Sequence, residues 1–204
     1  MHEIKIFWIA FLHEIKIFID FFDKSPYTNY RKELELSEAI TRIFWTKSKI
    51  NFKSECFISE DYDGFVYKVE SDNKPFSCNV SIKRKQNAYS SCINSDTIIM
   101  NGRVTYATHH YYGEGGEGMS FGAKLQIKTD GELSNDHSTI TVTDATYIFV
   151  YSAFETNYDV NKYDIDESID IKLKLNKTIE NLINADYEKV KEALKECIEL
   201  APLH

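Results

Sequence analysis

Proline, glycine and paired cysteines are scarce in this sequence, and each scarcity argues against a class of protein. Only 3 proline and 8 glycine residues occur among 204, so little of the chain can be a flexible linker. The cysteines stand far apart without a Cys-x-x-Cys pair, which argues against a zinc site. This spacing neither requires nor rules out disulfide bonds. The four cysteines are Cys56, Cys78, Cys92 and Cys197.

Basic residues are also outnumbered. The chain has 24 lysine and arginine residues against 32 aspartate and glutamate residues, a formal net charge of −8. A phosphate backbone would repel such a chain, and no basic stripe with interleaved aromatic residues is present. We therefore expect no nucleic-acid partner.

Long apolar runs are missing as well. The segment Ile6–Leu12 is apolar but short, whereas a membrane-spanning helix needs roughly 20 such residues. It also lacks the cationic start and small-residue cleavage site of a secretory signal. We expect no membrane span, and a cytoplasmic location is the default. Because His2–Phe7 recurs as His13–Phe18, we interpret residues 1–14 as an atypical N-terminal extension.

Alternating apolar residues dominate the chain from residue 15 to residue 156. Tyrosine and phenylalanine number 13 each, and such residues favour pleated, half-buried surfaces. Strict alternation, as in Ile50–Ser59 and Met119–Thr129, indicates antiparallel strands with one face on a core. Asp130-Gly131 indicates a hairpin, and the apolar Tyr147–Tyr151 indicates a central strand. The pattern predicts a mainly β fold, an antiparallel β-sandwich of the super-β-sandwich type.

The character of the sequence changes after Glu155. Residues 157–204 predict an acidic loop followed by two linker helices, with Ser168 as the cap of the first. Each helix has a single apolar stripe, which must pack on the sandwich or on a part of the protein that lies outside this sequence. We expect these stripes to be the surface of the chain most in need of a partner. The stripes are Ile171, Leu175, Ile179 and Leu182, and Tyr187, Val190, Leu194 and Cys197.

A glycine-rich segment, residues 111–118, is the most conspicuous local motif. It is neither a phosphate-binding P-loop nor a dinucleotide fingerprint, because no Gly-Lys-Ser/Thr follows and strands flank it on both sides. One interpretation is a flexible loop between strands. The other is a sugar-contacting loop, in which tyrosine rings stack on a pyranose and carboxylates accept its hydroxyl hydrogen bonds. The residues of that second hypothesis are Tyr111, Tyr112, Glu114 and Glu117.

Other catalytic or metal-binding patterns are weak. The adjacent His109 and His110 point to opposite faces of a strand, so they are poorly placed to share one metal ion. Glycoside hydrolysis needs two carboxyl groups with separated pKa values, but the acidic residues of the second half lie in a polar loop with nothing to separate them. We predict no metal, no cofactor and no catalytic residue. The loop carboxylates are Asp159, Asp164, Asp166 and Glu167.

Five segments carry, in order, patterns that occur together in one enzyme family. Thr28–Leu36 matches a typical Y-R-R-E-L-D-L, and Met119–Leu125 matches F-x-A-x-L. Ile140–Ala145 is similar to L-T-V-x-x-A-D, and Ile148–Thr156 to an apolar strand that ends in A-T-S-F. Tyr187–Lys191 is similar to Y-x-x-L-K. Together they resemble the N-terminal domain of glycoside hydrolase family 95, the α-L-fucosidase family.

The resemblance covers residues 15–195 and implies a domain without the family's catalytic centre. The (α/α)6 barrel that binds fucose and holds the acid and base has no counterpart in these residues, so no catalytic residue can be carried over. The resemblance therefore implies a non-catalytic β-sandwich that supports or docks to a catalytic barrel. Two alternatives remain: a stand-alone carbohydrate-binding module, and a degraded remnant without activity.

Overall fold

The computed structural model of the protein describes the backbone of residues 3–4, 15–106 and 116–200, and the side chains of residues 15–105 and 116–197. Strands dominate the first three quarters of the chain and two helices follow. The strands are β1 Glu3–Ile4, β2 Lys16–Phe21, β3 Tyr27–Glu35, β4 Ile40–Lys47, β5 Ile50–Ser59, β6 Gly64–Ser71, β7 Phe76–Lys83, β8 Ala88–Cys92, β9 Thr97–Tyr106, β10 Gly116–Thr129, β11 Glu132–Asp136, β12 Thr139–Ala145, β13 Tyr147–Thr156, β14 Tyr158–Asp159 and β15 Asp164–Ile165. The helices are α1 Ile171–Ala185 and α2 Tyr187–Leu200.

Two antiparallel sheets of unequal width form the sandwich. The large sheet has eight strands in the order β3-β4-β5-β6-β13-β10-β9-β8, and the small sheet has five in the order β1-β2-β7-β12-β11. A separate two-stranded sheet joins β14 to β15. All the described strand pairings are antiparallel. The predicted fold class, a mainly β antiparallel sandwich followed by helices, is confirmed.

The main core lies between the two sheets. Alternate residues of each strand point inward, so Ile148 and Val150 of β13 face Cys78 and Val80 of β7 in one buried cluster. At one end of this core, aromatic rings join the sheets: Phe21 of the small sheet contacts Trp45 of the large sheet at 6.0 Å between ring centroids. Burial of this apolar surface is the main force that holds the sheets together.

The predicted central strand is central. β13 lies between β6 and β10 in the large sheet and is buried on both faces. Val150 points into the main core, whereas Tyr151 points into a second cluster on the opposite face of the sheet. An apolar run without alternation is the signature of a strand covered on both sides.

The second cluster is the interface with the two helices, which cover the outer face of the large sheet. Leu175, Ile179 and Leu182 of α1 are buried there, as are Val190 and Leu194 of α2. Of the two partners that the sequence left open, the sandwich is the one observed, because the outer face of the large sheet is itself apolar. The expectation that the stripes are the surface most in need of a partner is therefore wrong. The cap of α1 also differs from the prediction: Asp170, not Ser168, accepts the hydrogen bond from the backbone N–H of Leu173.

Two glycines in the sheet let α1 approach closely. A Cβ atom at Gly64 would lie 2.4 Å from Cδ1 of Leu182, and one at Gly122 would lie 2.8 Å from Cγ2 of Ile171. A side chain larger than hydrogen at either position requires a shift of the helix or of the Leu182 and Ile171 side chains. The close packing of α1 on the sheet therefore depends on glycine at both positions.

The turn at Asp130-Gly131 is real, but it does not form the predicted hairpin. It links β10 of the large sheet to β11 of the small sheet, and β11 pairs with β12 instead. The Asp130 carboxylate accepts hydrogen bonds from the backbone N–H groups of Thr146 and Tyr147. A Cβ at Gly131 would lie 2.4 Å from the carbonyl oxygen of Thr143. The two residues therefore fix the point where the chain passes from one sheet to the other.

Candidate functional site

Glu117, one of the predicted sugar-contacting residues, lies in a charged cluster at the start of β10. Arg103 of β9 binds its carboxylate at 3.3 Å and binds the Glu167 carboxylate at 2.6 Å. The Arg103 Nε also donates to the carbonyl oxygen of Gly118. Both carboxylates are well exposed, Glu117 at 73%. The cluster is a solvent-facing set of hydrogen-bond donors and acceptors.

A buried asparagine holds this cluster in place. The side-chain oxygen of Asn157 accepts from the backbone N–H of Ser120 at 2.8 Å, and its backbone carbonyl accepts from Asp166 at 2.8 Å. A β-bulge interrupts the pairing of β9 and β10 between Glu117 and Ser120, and such bulges redirect side chains. Asn157 therefore ties the bulge to the acidic loop that supplies Glu167.

The remaining predicted site residues fall elsewhere. Tyr111, Tyr112 and Glu114 lie outside the described residues, as do His109 and His110. The structure therefore brings Glu117 together with Arg103 and Glu167, two residues that the sequence hypothesis did not combine with it, and leaves the tyrosine contacts a prediction.

The carboxylates of the acidic loop are paired with a lysine. Lys162 binds Asp159 at 3.3 Å and Asp166 at 2.6 Å. A backbone hydrogen bond from Asn161 lowers the pKa of Asp159, and the Lys162 ammonium together with Ser168 lowers the pKa of Asp166. Both groups are ionised at neutral pH. Neither has the raised pKa that a general acid needs.

A second charged cluster, which the sequence hypotheses did not identify, lies beneath α2. Glu55 of β5 is buried and accepts a hydrogen bond from the Tyr187 hydroxyl at 2.5 Å. Arg42 of β4 binds it at 2.8 Å, Lys191 of α2 at 3.1 Å and Lys53 at 3.2 Å. Three elements of the fold thus converge on one carboxylate.

The surroundings of Glu55 stabilise its charged form. Burial alone would raise its pKa, but the hydrogen bonds from Tyr187, Arg42, Lys191 and Lys53 together outweigh burial, and the net pKa is lowered. Burial and the adjacent Glu55 carboxylate raise the pKa of the Tyr187 hydroxyl, which therefore stays protonated as the donor. This cluster joins α2 to the sheet and leaves Glu55 with no free proton to transfer.

Glu155 of β13 is the described carboxyl group whose pKa is raised. Burial is the cause, and it exceeds the opposing effect of Lys174 of α1, whose ammonium lies 3.6 Å away. The side chain is covered by the helical layer, since Glu155 shares the outer face of the sheet with Tyr151. The sequence shows an acidic residue near the end of an apolar strand, but it does not show which part of the protein covers the Glu155 side chain.

Metal and thiol chemistry have no organised centre in the described residues. Within residues 15–105 and 116–197, no group of three or more histidine, cysteine or acidic residues is arranged to hold a metal ion. His137 stands in the exposed β11–β12 turn beside Asp136. All four cysteines are free thiols. Among the described helices, none is long and apolar enough to cross a membrane.

These features define a class of protein: an antiparallel β-sandwich of two unequal sheets, with a helical layer on the outer face of the larger one. The same fold occurs in a solved structure described as "Putative kojibiose phosphorylase from human microbiome", with a TM-score of 0.57 and 10% sequence identity. That match covers 90% of this chain but only 27% of the other. A family GH92 alpha-mannosidase from Bacteroides thetaiotaomicron matches at a TM-score of only 0.27 and 11% identity, over 84% of this chain and 23% of that one.

A comparison of the sequence with models of protein families identifies the family of this chain. The model of the glycosyl hydrolase family 65 N-terminal domain matches residues 11–161, and the chain belongs to this family. No curated protein matches the chain. The expectation of a glycoside hydrolase N-terminal domain is thus confirmed. Its narrower form, family 95 with α-L-fucosidase specificity, is not supported by this match, which names family 65.

Proposed function

We propose that this chain is the non-catalytic β-sandwich of a glycoside-active enzyme, and that it supports a catalytic domain formed by other residues. The observation that carries the proposal is the family match over residues 11–161, which assigns the chain to a domain that is N-terminal in its enzymes. The match covers only 27% of the phosphorylase-like neighbour, as expected if this chain corresponds to one part of a larger enzyme.

The chemistry of the described carboxylates supports the absence of a catalytic role. Glu55 and Glu155 lie against the helical layer, with side chains that are only 4% and 14% exposed, and each is paired with a lysine of that layer. Asp159 and Asp166 share one lysine in an exposed loop. Two carboxyl groups that face one open cleft, as glycoside hydrolysis needs, are not formed by these four residues.

We further propose that the catalytic partner is an (α/α)6 barrel and that its substrate is an α-linked glycoside. The name of the structural neighbour favours phosphorolysis of an α-glucoside such as kojibiose. The resemblance of Thr28–Leu36 to the family 95 pattern favours α-L-fucoside hydrolysis instead. Both reactions act on an α-glycosidic bond.

The test starts from the barrel polypeptide of the same genome, whether it continues this reading frame or is encoded beside it. We expect the purified 204-residue chain to release no product from p-nitrophenyl α-L-fucoside, or from kojibiose with inorganic phosphate. Together with the barrel, we expect a one-to-one complex that is active on one of the two substrates. Turnover by the chain alone, or a genome without such a barrel, would contradict the proposal.

A second candidate function is carbohydrate contact at residues 111–118, and the exposed Arg103–Glu117–Glu167 cluster favours it. Exposed carboxylates beside an arginine offer acceptors and donors in the pattern that sugar hydroxyls use. We propose that Tyr111, Tyr112, Glu114 and Glu117 contact the sugar. Calorimetric titration with fucosylated and α-glucosyl oligosaccharides should show millimolar binding that weakens in the Tyr111→Ala, Tyr112→Ala and Glu117→Gln variants.

A matched control is available on the same sheet. Tyr89 of β8 is 72% exposed and has no place in the proposed contact, so the Tyr89→Ala variant should bind as the unchanged protein does. Equal loss of binding in the Tyr89→Ala and Tyr111→Ala variants, or no heat signal at millimolar sugar, would count against a sugar site at this loop.

A further inference from the structure

The large sheet extends beyond the small one, and the overhang leaves part of its inner face open. One row across the strands runs Leu34, Thr41, Cys56 and Tyr67. Tyr67 is buried under the small sheet, Cys56 is partly covered, and Leu34 at the sheet edge is 60% exposed. In this row, cover by the small sheet therefore ends between β6 and β4, whereas Trp45, further along β4, is still buried in the main core.

A second row shows the same gradient. Phe65 of β6 is buried, whereas its partner Ile58 of β5 is 46% exposed. Leu36, in the turn that follows β3, is exposed as well. These side chains form what we call the apolar shelf: Leu34, Leu36, Cys56 and Ile58. Isolated exposed apolar residues are ordinary, but several at one corner of a sheet are typical of an interaction surface.

The last described helix ends at the same corner. Lys195 of α2 lies 3.4 Å from Glu38, which is two residues after Leu36. The Cys197 thiol lies 3.7 Å from Glu60, which is two residues after Ile58. The matched domain is N-terminal in its family, and any chain that continues from α2 toward a catalytic domain would start beside the shelf.

The charges on β3 argue against a second copy of the chain that extends the large sheet at this edge. When two identical antiparallel edge strands pair about a two-fold axis, the central residue lies opposite its own copy. The three central charges of β3 are Arg31, Lys32 and Glu33, so a register centred on any of them opposes like charges, which destabilises the pair. A different partner carries no such penalty.

From the open corner, the end of α2 and the charges of β3, we infer that the apolar shelf is the surface on which the catalytic domain docks. This inference rests on the function proposed above and names the part of the sandwich that performs it. The catalytic domain covers Leu34, Leu36 and Ile58, reduces solvent access to Cys56, and follows α2 around the corner of the sheet.

The test compares two double variants for binding to the catalytic barrel, expressed as a separate polypeptide. Leu34→Glu with Ile58→Glu places charges on the shelf. Tyr89→Glu with Ile93→Glu places the same charges on exposed residues at the far edge of the large sheet. We expect the shelf variant to bind at least about tenfold more weakly, the control to bind as the unchanged chain does, and both to keep the unchanged circular dichroism spectrum.

Cys56 supplies a second readout that needs no change on the shelf. With Cys92 and Cys197 replaced by serine, Cys56 is the thiol open to a disulfide reagent, since Cys78 is fully buried. We expect the barrel to slow its modification several-fold. As a control, a protein that retains Cys92 and carries Cys56→Ser and Cys197→Ser should react at the same rate with and without the barrel.

The outcomes separate the two proposals. If the unchanged chain binds the barrel but the shelf variant binds equally well, or both double variants lose binding, the shelf inference is overturned and the proposed function stands. If the unchanged chain does not bind the barrel at all, both are overturned. Weakened binding in the shelf variant alone, with Cys56 protected, supports the inference.

Discussion

At the scale of single residues, Glu55 shows how one buried charge can specify where a helix sits. A carboxylate taken out of water is costly unless its acceptor positions are filled. Two of its partners, Tyr187 and Lys191, belong to α2, and Arg42 and Lys53 belong to the sheet. A shift of α2 along the sheet would leave the charge incompletely paired, so the cluster favours one position of the helix over its neighbours.

Replacing this carboxylate should cost stability out of proportion to its size. We expect Glu55→Gln to lower the free energy of unfolding by about 1.5–3 kcal/mol, because it removes charged hydrogen bonds and leaves buried cations less well paired. Urea unfolding at neutral pH measures this. The control is Glu33→Gln, which breaks the exposed pair with Arg31 and should cost no more than about 1 kcal/mol. Equal losses would show that the burial of Glu55 is unimportant.

Glu55 should also make the stability of the protein depend on pH in acidic solution. The pKa of Glu55 is lowered by folding from its ordinary value of 4.5, so its stabilising effect is present above that value and is lost as the pH falls below it. We expect the stability difference between the unchanged protein and Glu55→Gln to be constant from pH 7 to about pH 5 and to shrink in more acidic solution. Unfolding curves at several pH values test this, and a difference that grows on acidification would contradict the assignment.

Which residues meet at a charged cluster could be only partly predicted from the sequence. Glu117 was identified because it lies in a conspicuous glycine-rich segment, but Arg103 and Glu167 come from distant segments, and only the sheet register and the Asn157 contacts bring them together. Glu55 was missed for a related reason. The alternation of Ile50–Ser59 predicts which side chains share a face, but it does not tell what covers that face.

At the scale of elements, α1 packs closely on the sheet because two sheet positions beneath it are glycines without side chains. Gly64 and Gly122 lie where the helix is closest, and the Leu182 side chain that would meet a new Cβ at Gly64 is fully buried. A buried leucine has little room to move aside, since protein interiors are close-packed. The approach of α1 to the sheet therefore depends on these two positions.

We expect Gly64→Ala to destabilise the protein by about 1–3 kcal/mol, the usual cost of overpacking a filled core. Thermal unfolding followed by circular dichroism gives the measurement. Gly116→Ala is the matched control, because no atom lies within 4 Å of the Cβ it would add, and it should leave the melting temperature nearly unchanged. A neutral Gly64→Ala would mean that Leu182 can yield.

Strand positions followed from the sequence more closely than strand partners did. Ile50–Ser59 was predicted with the bounds that β5 has, because alternation reports burial directly. The Asp130-Gly131 turn was found but given the wrong role. Its backbone requirements are local and readable, whereas the sheet that receives the next strand depends on pairings with β12 and β7, which are remote in sequence.

At the scale of the whole molecule, the helices complete a third layer. The outer face of the large sheet carries Phe57, Val66 and Tyr151, all buried by α1 and α2. The sequence predicted both helices and their stripes, yet it could not assign them to this face, because an amphipathic stripe specifies apolar contact without specifying the surface that provides it.

A variant that ends at Asp166, and so lacks both helices, should expose this outer face. We expect it to bind a hydrophobic dye strongly and to sediment as aggregates, since an open apolar face of that extent promotes association. The 204-residue chain should remain monomeric and unfold in one cooperative transition, which would also argue against a degraded remnant. A monomeric variant without dye binding would show that the helical layer is dispensable.

The way α2 is held also has a mechanical consequence. Its polar contacts with the sheet follow one line, Tyr187, Lys191 and Lys195, which bind Glu55 and Glu38 in succession. Tension that lifts the far end of α2 would break these contacts one at a time, as in peeling. β13 is hydrogen-bonded along both edges and would have to break many bonds at once under shear. Force transmitted through α2 would detach the helix at low load and leave the sandwich folded.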